Sequence, residues 1–273
     1  MYMTTNGSVP PVTIRIQRFN SDVDKKPYWQ EFTVKATQGK TILDALHEIK
    51  EEQDGSVTFR RSCRHAICGS CAANVNGKNM LICDAPLRDH LDRKGRVTLR
   101  PLPYLPVIKD LVVDRTTFWE QYLRVKPWLI PPENIPEKEF RVSPEEVAAL
   151  RNAERCIMCG ACYSSCQVIA LTKEYIGPHA LLKAFLRVLD PRDSAPRERL
   201  EDLDRGDGVY RCHTIFNCID ACPKGLNPTA AIETLRKLVI KRLAFEETRR
   251  ERQRRLDQPI EIVGEAPLLS GGE

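Results

Sequence analysis

The chain has 273 residues, of which 42% are hydrophobic, and its 42 basic and 37 acidic residues give a formal net charge of +5. This length and apolar content allow two domains with their own cores and argue against global disorder. The charge is too small to indicate a nucleic-acid partner, and no apolar run is long enough to cross a bilayer. Residues 1–11 lack the features of a secretory signal or an arginine-rich transit peptide, so we expect a bacterial protein on the cytosolic side.

Residues 1–106 predict strands around one helix and form the first expected domain. Apolar and polar residues alternate in three segments, as in strands with one buried face. The alternating apolar residues are Val12, Ile14 and Ile16, then Phe32 and Val34, and finally Val97 and Leu99. Residues 41–52 predict a helix that begins with a capping box from Thr41 to Asp44, and Asn76–Gly77 predicts a hairpin turn.

Prolines are frequent over residues 107–142, which we interpret as a connector. Four residues could form a packed helix within it: Trp119, Tyr122, Leu123 and Trp128.

Residues 143–246 predict a helical second domain. Ser143 and Glu146 form a capping-box pattern, and further helices are predicted to begin at Pro178 and Pro228. The tail over residues 247–273 is charged and expected to be flexible. Its run of arginines over residues 249–255 fits a solvated helix end better than contact with an anionic membrane.

Cysteine is the most informative residue type in the sequence. The odd number, eleven, and the length of the chain argue against a secreted disulfide scaffold. The cysteines fall into three groups, which indicates metal ligation in a reduced compartment. The groups are Cys63, Cys68, Cys71 and Cys83, then Cys156, Cys159, Cys162 and Cys166, and then Cys212, Cys218 and Cys222.

The first group, from Cys63 to Cys83, has the spacing of plant-type [2Fe–2S] proteins. Gly69 is expected to let the backbone bend close to the sulfurs. Arg61, Arg64 and His65 supply positive charge and hydrogen-bond donors, with His65 as a polar neighbour and not a ligand. A zinc site is the alternative, and the four-residue gap after the first cysteine makes it less favoured.

The second group is a complete bacterial ferredoxin run, C-x2-C-x2-C-x3-C, and the third fits the same run with Ile215 in place of one cysteine. In two-cluster ferredoxins the fourth cysteine of each run ligates the other cluster. This rule assigns Cys156, Cys159, Cys162 and Cys222 to a [4Fe–4S] cluster. It assigns Cys166, Cys212 and Cys218 to a cluster whose remaining corner faces Ile215.

Ile215 cannot bind iron, and its branched aliphatic side chain also excludes water or another exogenous ligand. The cluster beside it is therefore expected to lose one iron and to form [3Fe–4S], a high-potential acceptor late in an electron chain. A [4Fe–4S] centre with an exogenous ligand is the weaker alternative. The sequence shows no glycine-rich nucleotide loop and no Ser/His/Asp grouping, so the chain is expected to carry single electrons between other proteins.

The motifs CIMCGACYSSC and RCHTIFNCIDACPKGLNP, after a [2Fe–2S] loop, make the chain resemble the iron–sulfur subunits of succinate dehydrogenase. This enzyme is the succinate:quinone oxidoreductase of the tricarboxylic acid cycle and the respiratory chain. The resemblance runs from about residue 12 to about residue 245. It implies an α+β fold, with a β-grasp ferredoxin domain followed by an all-α domain that has a two-cluster ferredoxin core.

The resemblance also implies the partners. A flavoprotein with FAD would oxidise succinate, and one or two membrane-anchor subunits, often with haem b, would hold the chain at the cytoplasmic face of the bacterial inner membrane. Electrons would pass from FAD through the [2Fe–2S], [4Fe–4S] and [3Fe–4S] clusters, in that order, to quinone.

In the family, residues beside the [3Fe–4S] centre border the quinone pocket, and the matching positions here are His213 and Ile215. His213 could donate a hydrogen bond near quinone or a haem propionate, or could be a surface histidine. Many members have proline and tryptophans after the cysteine that matches Cys166, whereas this chain continues QVIAL. The quinone site is therefore expected to differ in detail or to lie deeper in the membrane partner.

Three alternatives remain open. Quinol:fumarate reductase has the same architecture and runs the reaction in the opposite direction. A zinc-stabilised interaction module would have no redox role, and a soluble iron–sulfur carrier would have no membrane partners.

Overall fold

A computed structural model of the protein describes residues 11–241. The first part of this range contains a five-stranded sheet and the second part is helical, which is the α+β order that the sequence predicts. The predicted tail over residues 247–273, with its basic run, lies outside the described residues.

The strands are β1 Pro11–Arg18, β2 Tyr28–Lys35, β3 Ala72–Val75, β4 Lys78–Leu81 and β5 Arg96–Arg100. They form one mixed sheet in the order β2-β1-β5-β3-β4. β1 pairs antiparallel with β2 and parallel with β5, while β3 pairs antiparallel with β4 and with β5. The Asn76–Gly77 turn joins β3 to β4 with positive φ at both residues, as a type I′ hairpin turn requires.

Helix α1, Ile42–Glu52, packs against the sheet and begins with the predicted capping box. The Thr41 hydroxyl accepts from the Asp44 N–H, and the Asp44 carboxylate accepts from the Thr41 N–H. The predicted alternating positions of β1, β2 and β5 are buried in the same core as the apolar face of the helix. Cys71, Cys83 and Cys159 belong to this core as well, so it brings the first two cysteine groups together.

The segment predicted as a connector contains more structure than the sequence indicates. It holds a small hairpin, β6 Val107–Lys109 and β7 Val112–Val113, and helix α2, Thr116–Arg124. Asp110, at the turn of the hairpin, is buried and accepts from Arg18 Nε at 2.9 Å and from the Thr58 N–H at 2.8 Å. These contacts tie the hairpin to the sheet, across a sequence separation of 92 residues between Arg18 and Asp110.

Helix α2 packs through a different face from the one predicted. The residues expected to pack are mostly exposed. The exposed fraction is 41% for Trp119, 56% for Leu123 and 52% for Trp128, which lies beyond the helix end, while Tyr122 is half-buried. Phe118 and Gln121 are buried instead. The Phe118 ring stacks on His179 with 3.9 Å between ring centroids, which fixes α2 against the helical part.

The helical part contains α3 Pro144–Glu154, α4 Gln167–Leu171, α5 Pro178–Leu189, α6 Pro196–Leu203, α7 Asn217–Asp220 and α8 Pro228–Ile240. The predicted capping box at Ser143 and the helix starts at Pro178 and Pro228 are confirmed. Helix α5 lies at the centre, in contact with α2, α3, α6 and α8. Over residues 11–241 no helix combines the length and the hydropathy that a bilayer span needs.

Candidate metal centres

The first cysteine group surrounds a loop between α1 and β3. Cys63 and Cys68 lie in the loop, while Cys71 and Cys83 are buried at the edge of the sheet core. Three loop residues adopt left-handed backbone conformations: Arg64 with φ 61°, Ala66 with φ 59° and Gly69 with φ 72°. Such turns point successive backbone N–H groups into the concave side of a loop, where they can meet negative charge.

The N–H groups of this loop do point at cysteine sulfurs. Cys63 Sγ accepts from the N–H groups of His65, Ile67 and Cys68, at 3.5, 3.3 and 3.3 Å. Cys83 Sγ accepts from the N–H of Ala66 at 3.3 Å. The hydrogen bonds from His65, Cys68 and Ile67 lower the pKa of the Cys63 thiol to about 6, so the backbone stabilises a thiolate there.

The other thiols of the group differ in their surroundings. Cys68 Sγ lies 3.0 Å from the Ser70 hydroxyl, and this hydrogen bond lowers the pKa of the Cys68 thiol. Burial raises the pKa of Cys71 to about 12. His65 contacts the carbonyl oxygen of Cys63 through Nδ1, which is the position of the polar neighbour that the sequence predicts.

Gly69 has a second role besides the predicted bend of the backbone, whose left-handed conformation at φ 72° it adopts. A Cβ atom at this position would lie 2.9 Å from both Cα and Cβ of Cys159 and 3.0 Å from the carbonyl oxygen of Ile157. The space that the glycine leaves is therefore taken up by the second cysteine run. The two cysteine loops touch backbone to backbone at this point.

A solvent-open cavity, which we call the middle cavity, lies between the second cysteine run and the segment that contains Cys222. Its wall includes Cys156, Cys159, Cys162 and Cys222. Burial raises the pKa of Cys159 to about 11 and raises that of Cys162 well above its usual value. Because their pKa values are raised, these thiols are protonated at neutral pH and must release protons when they bind a metal. Metal binding here is therefore coupled to pH.

A second solvent-open cavity lies between α4, α7 and α8, and we call it the distal cavity. Its wall includes Cys166, Cys212 and Cys218, together with His213 and Ile215. The described residues that line it include no lysine, arginine, aspartate or glutamate.

The loop from Cys212 to Phe216 forms the outer wall of the distal cavity. His213 is exposed, and the Ile215 side chain is 42% exposed while it also lines the cavity. Thr214 and Phe216 have positive φ values of 56° and 69°. A left-handed backbone conformation costs free energy for a residue other than glycine, so the surrounding contacts must hold this loop in place.

Among residues 11–241, no three or more histidine, cysteine or acidic side chains converge as the ligands of a single metal ion. Four thiolates around one zinc ion lie within about 4 Å of one another, since each Zn–S bond is about 2.3 Å long. A polynuclear cluster differs because its thiolates surround a cage and lie farther apart. The middle and distal cavities each have several cysteines around their walls.

Four residues near the cavities were not identified from the sequence: Arg115, Tyr175, His179 and Lys183. Tyr175 is buried beside Cys212, and His179 lines the middle cavity with Nδ1 buried and without a hydrogen-bond partner among the described residues. These side chains have no fixed spacing from the cysteines, so only the tertiary structure identifies them.

Comparisons with known proteins decide the assignment. Residues 13–120 match the family described as 2Fe-2S iron-sulfur cluster binding domain, and residues 152–226 match that described as 4Fe-4S dicluster domain. The chain is 44% identical over 228 residues to the succinate dehydrogenase iron-sulfur subunit of Coxiella burnetii, an alignment that covers 82% of this chain and 95% of the relative. The chain belongs to the succinate dehydrogenase iron–sulfur subunit family.

Two further comparisons agree with this family. The succinate dehydrogenase iron-sulfur subunit of Paracoccus denitrificans is 43% identical over 230 residues, which cover 84% of this chain and 88% of that protein. A solved chain described as the Mycobacterium smegmatis Sdh1 complex in the apo form superposes with a TM-score of 0.78 at 25% identity, over 86% of this chain and 98% of that chain.

Membership in the family confirms several predictions. The α+β fold with a [2Fe–2S] domain before a helical [4Fe–4S] region is correct, and so is the electron-transfer role in succinate:quinone oxidoreductase. The fumarate reductase alternative is not favoured, because the relatives bear the dehydrogenase name. The two iron–sulfur domain matches favour iron–sulfur clusters over the zinc alternative.

Proposed function

We propose that the eleven cysteines hold three clusters in a crossed arrangement. The observation that carries this proposal is the division of cysteines between the middle and distal cavities. Cys222 belongs to the third group in sequence but lines the middle cavity with Cys156, Cys159 and Cys162. Cys166 belongs to the second group but lines the distal cavity with Cys212 and Cys218. This exchange follows the rule for two-cluster ferredoxins.

The proposed ligand sets are Cys63, Cys68, Cys71 and Cys83 for [2Fe–2S], the four cysteines of the middle cavity for [4Fe–4S], and the three cysteines of the distal cavity for [3Fe–4S]. Ile215 stands in the wall of the distal cavity, where it offers no ligand atom. An aliphatic side chain at the fourth ligand position favours a cluster of three irons that is held by three thiolates.

Clusters of these types supply one-electron redox chemistry when bound. The residues of the chain stabilise the sulfurs through backbone N–H groups, as at Cys63, and keep water away by burial, as at Cys159. The contact of Gly69 with Cys159 brings the first loop next to the middle cavity. The order from the first loop to the middle cavity to the distal cavity is therefore the proposed route of electrons through the chain.

The partners of the chain are part of the same proposal. An FAD-containing flavoprotein is proposed to deliver electrons at the first loop, where Cys68 and Ile67 are exposed next to Arg64. One or two membrane-anchor subunits with quinone, and with haem b, are proposed at the distal cavity, where His213 and Ile215 are exposed. The chain is then a peripheral subunit at the cytoplasmic face of the membrane, with residues 1–106 and 143–246 as its two domains.

The intact complex, purified anaerobically with its partner subunits, tests this proposal. We expect about nine irons per chain, from two, four and three iron atoms, together with acid-labile sulfide. Oxidised samples should show the EPR signal of a three-iron cluster, and succinate should reduce quinone. Far less iron, or no three-iron signal, would contradict the ligand assignment, while quinone reduction without co-purified anchor subunits would contradict the proposed partners.

A further inference from the structure

Arg115 reaches from the start of α2 to the backbone beside Cys159. Its Nη2 atom donates to the carbonyl oxygen of Met158 at 2.5 Å. A Cβ atom on Gly160 would lie 3.1 Å from the same nitrogen. The guanidinium group therefore lies against the residues on both sides of Cys159, in space that the absent side chain of Gly160 leaves open.

The guanidinium group is also held in place and partly shielded from water. Its central carbon lies 4.4 Å from the centre of the Phe118 ring and 5.4 Å from that of Trp119. Its Nε atom is buried and donates to no atom among the described residues. Within residues 11–241 no carboxylate forms an ion pair with Arg115. Its electrostatic interactions are attraction to the sulfurs of Cys159 and Cys162 when these are ionised, and repulsion from the Arg60 guanidinium.

We propose that Arg115 raises the midpoint potential of the cluster in the middle cavity. The inference rests on the proposed ligands Cys156, Cys159, Cys162 and Cys222. A fixed positive charge stabilises the reduced form of a cluster, because reduction adds one negative charge, and partial burial limits screening by water and salt. Arg115 is thus a residue that tunes potential without binding iron itself.

The test is an EPR-monitored redox titration of the intact complex with the Arg115→Met variant. At a fixed ambient potential, the ratio of reduced to oxidised [4Fe–4S] cluster should fall about tenfold, which is about 59 mV for a one-electron couple. The [2Fe–2S] and [3Fe–4S] centres of the same sample serve as internal standards and should shift much less. Arg115→Lys keeps the charge and should restore most of the wild-type potential.

Arg60 offers a matched control. Its side chain is exposed, donates to the carbonyl oxygen of Val113 at 3.3 Å, and lies near enough to Arg115 to repel it. Because water screens an exposed charge, Arg60→Met should change the [4Fe–4S] ratio by less than about twofold. An equal shift in the Arg60 and Arg115 variants would overturn the proposal, because net charge alone would then account for both.

A second neutral variant separates charge from folding. Arg115→Gln keeps a donor for the Met158 carbonyl, and its [4Fe–4S] potential should fall like that of Arg115→Met. An unchanged potential in both neutral variants overturns the proposal, as does loss of the cluster in both, since the arginine would then be structural. If the wild-type complex itself shows no [4Fe–4S] signal, the proposed ligand set fails, and that failure is visible before any variant is measured.

Discussion

In the distal cavity, Ile215 stands where a bacterial ferredoxin run would place a cysteine. The residue lines the cavity, so a thiol at this position would have access to the proposed cluster. We expect Ile215→Cys to convert the third centre towards [4Fe–4S]. The three-iron EPR signal of the oxidised protein should decrease, and the iron content should rise by about one per chain.

Ile215→Ala is the control for this substitution. Alanine shortens the side chain much as cysteine does but offers no ligand atom, so the three-iron signal should remain. An unchanged three-iron signal in the Ile215→Cys variant would show that position 215 does not face the open corner, and the crossed ligand scheme would be wrong.

Gly69 allows a test of the contact between the first loop and the middle cavity. Gly69→Ala adds a Cβ at 2.9 Å from Cys159, in a residue with φ +72°. Gly39→Ala adds a Cβ in a residue with φ +77° and nothing within 4 Å. Both variants carry the backbone strain of a left-handed residue, but only the first overpacks a neighbour.

We expect Gly69→Ala to lower the free energy of unfolding by about 1–3 kcal/mol more than Gly39→Ala does. Denaturant unfolding followed by circular dichroism measures the difference, and EPR of the same samples reports the magnetic coupling between the first two clusters. Equal losses of unfolding free energy in the two variants would mean that only the backbone strain matters. The loops of Gly69 and Cys159 could then move apart without cost.

At the scale of elements, Arg199 of helix α6 forms a buried ion pair with Asp193, in the loop before the helix, and hydrogen bonds to the segment after α2. Arg199 Nη2 lies 2.8 Å from Asp193 Oδ2, and both side chains are almost fully buried. Arg199 also donates to the carbonyl oxygens of Val125 and Trp128, and these bonds fix the segment that follows the C-terminus of α2. Removal of the arginine would take away the cation that pairs with the buried Asp193 carboxylate and the side-chain donor to these carbonyl oxygens.

Arg199→Met is therefore expected to cost about 3–5 kcal/mol of unfolding free energy. Arg197, on the same helix, forms an exposed i,i+4 pair with Glu201 at 3.2 Å, and Arg197→Ala should cost about 0.3–0.5 kcal/mol. Chemical denaturation of both variants provides the comparison. A loss below about 1 kcal/mol for Arg199→Met would mean that water reaches the buried pair and replaces it.

Elements that depend on nearby residues could be predicted from the sequence. The capping boxes at Thr41 and Ser143 need only residues three positions apart, and the alternation in β1 needs only the strand itself. The hairpin β6–β7 and the packed face of α2 could not be predicted, because they depend on Asp110 meeting Arg18 and on Phe118 meeting His179. Those partners are far apart in sequence and share no pattern.

At the scale of the whole molecule, cysteine substitutions can distinguish two ligand arrangements. In the crossed arrangement each helical cluster takes one thiol from the other cysteine run, as the cavity walls suggest, and in the uncrossed arrangement each run holds its own cluster. We expect Cys166→Ala to remove the three-iron EPR signal and to retain the [4Fe–4S] signal. Cys222→Ala should have the opposite effect. If each substitution instead affected the cluster of its own cysteine run, the uncrossed arrangement would be correct and the cavities would not mark the ligand sets.

The candidate ligands could be predicted because cluster ligation imposes fixed spacings on cysteine. The surroundings of the cavities could not be predicted in the same way. Arg115 is more than 40 positions from Met158, and Gly69 touches Cys159 only because the sheet core brings the two loops together. Spacing rules therefore identify what binds iron, whereas long-range packing determines the charge and the access around it.

The exchange of Cys166 and Cys222 between cavities bears on how the protein matures during translation. The loop at Cys63 has all four of its thiols once residue 83 has left the ribosome, so its iron could be inserted while synthesis continues. With the proposed ligand sets, the distal centre cannot be completed until residue 218 has emerged, and the middle centre not until residue 222, because each takes thiols from both halves of the helical part. Cofactor delivery to this polypeptide should therefore proceed in two stages, the second after nearly the whole chain has been made.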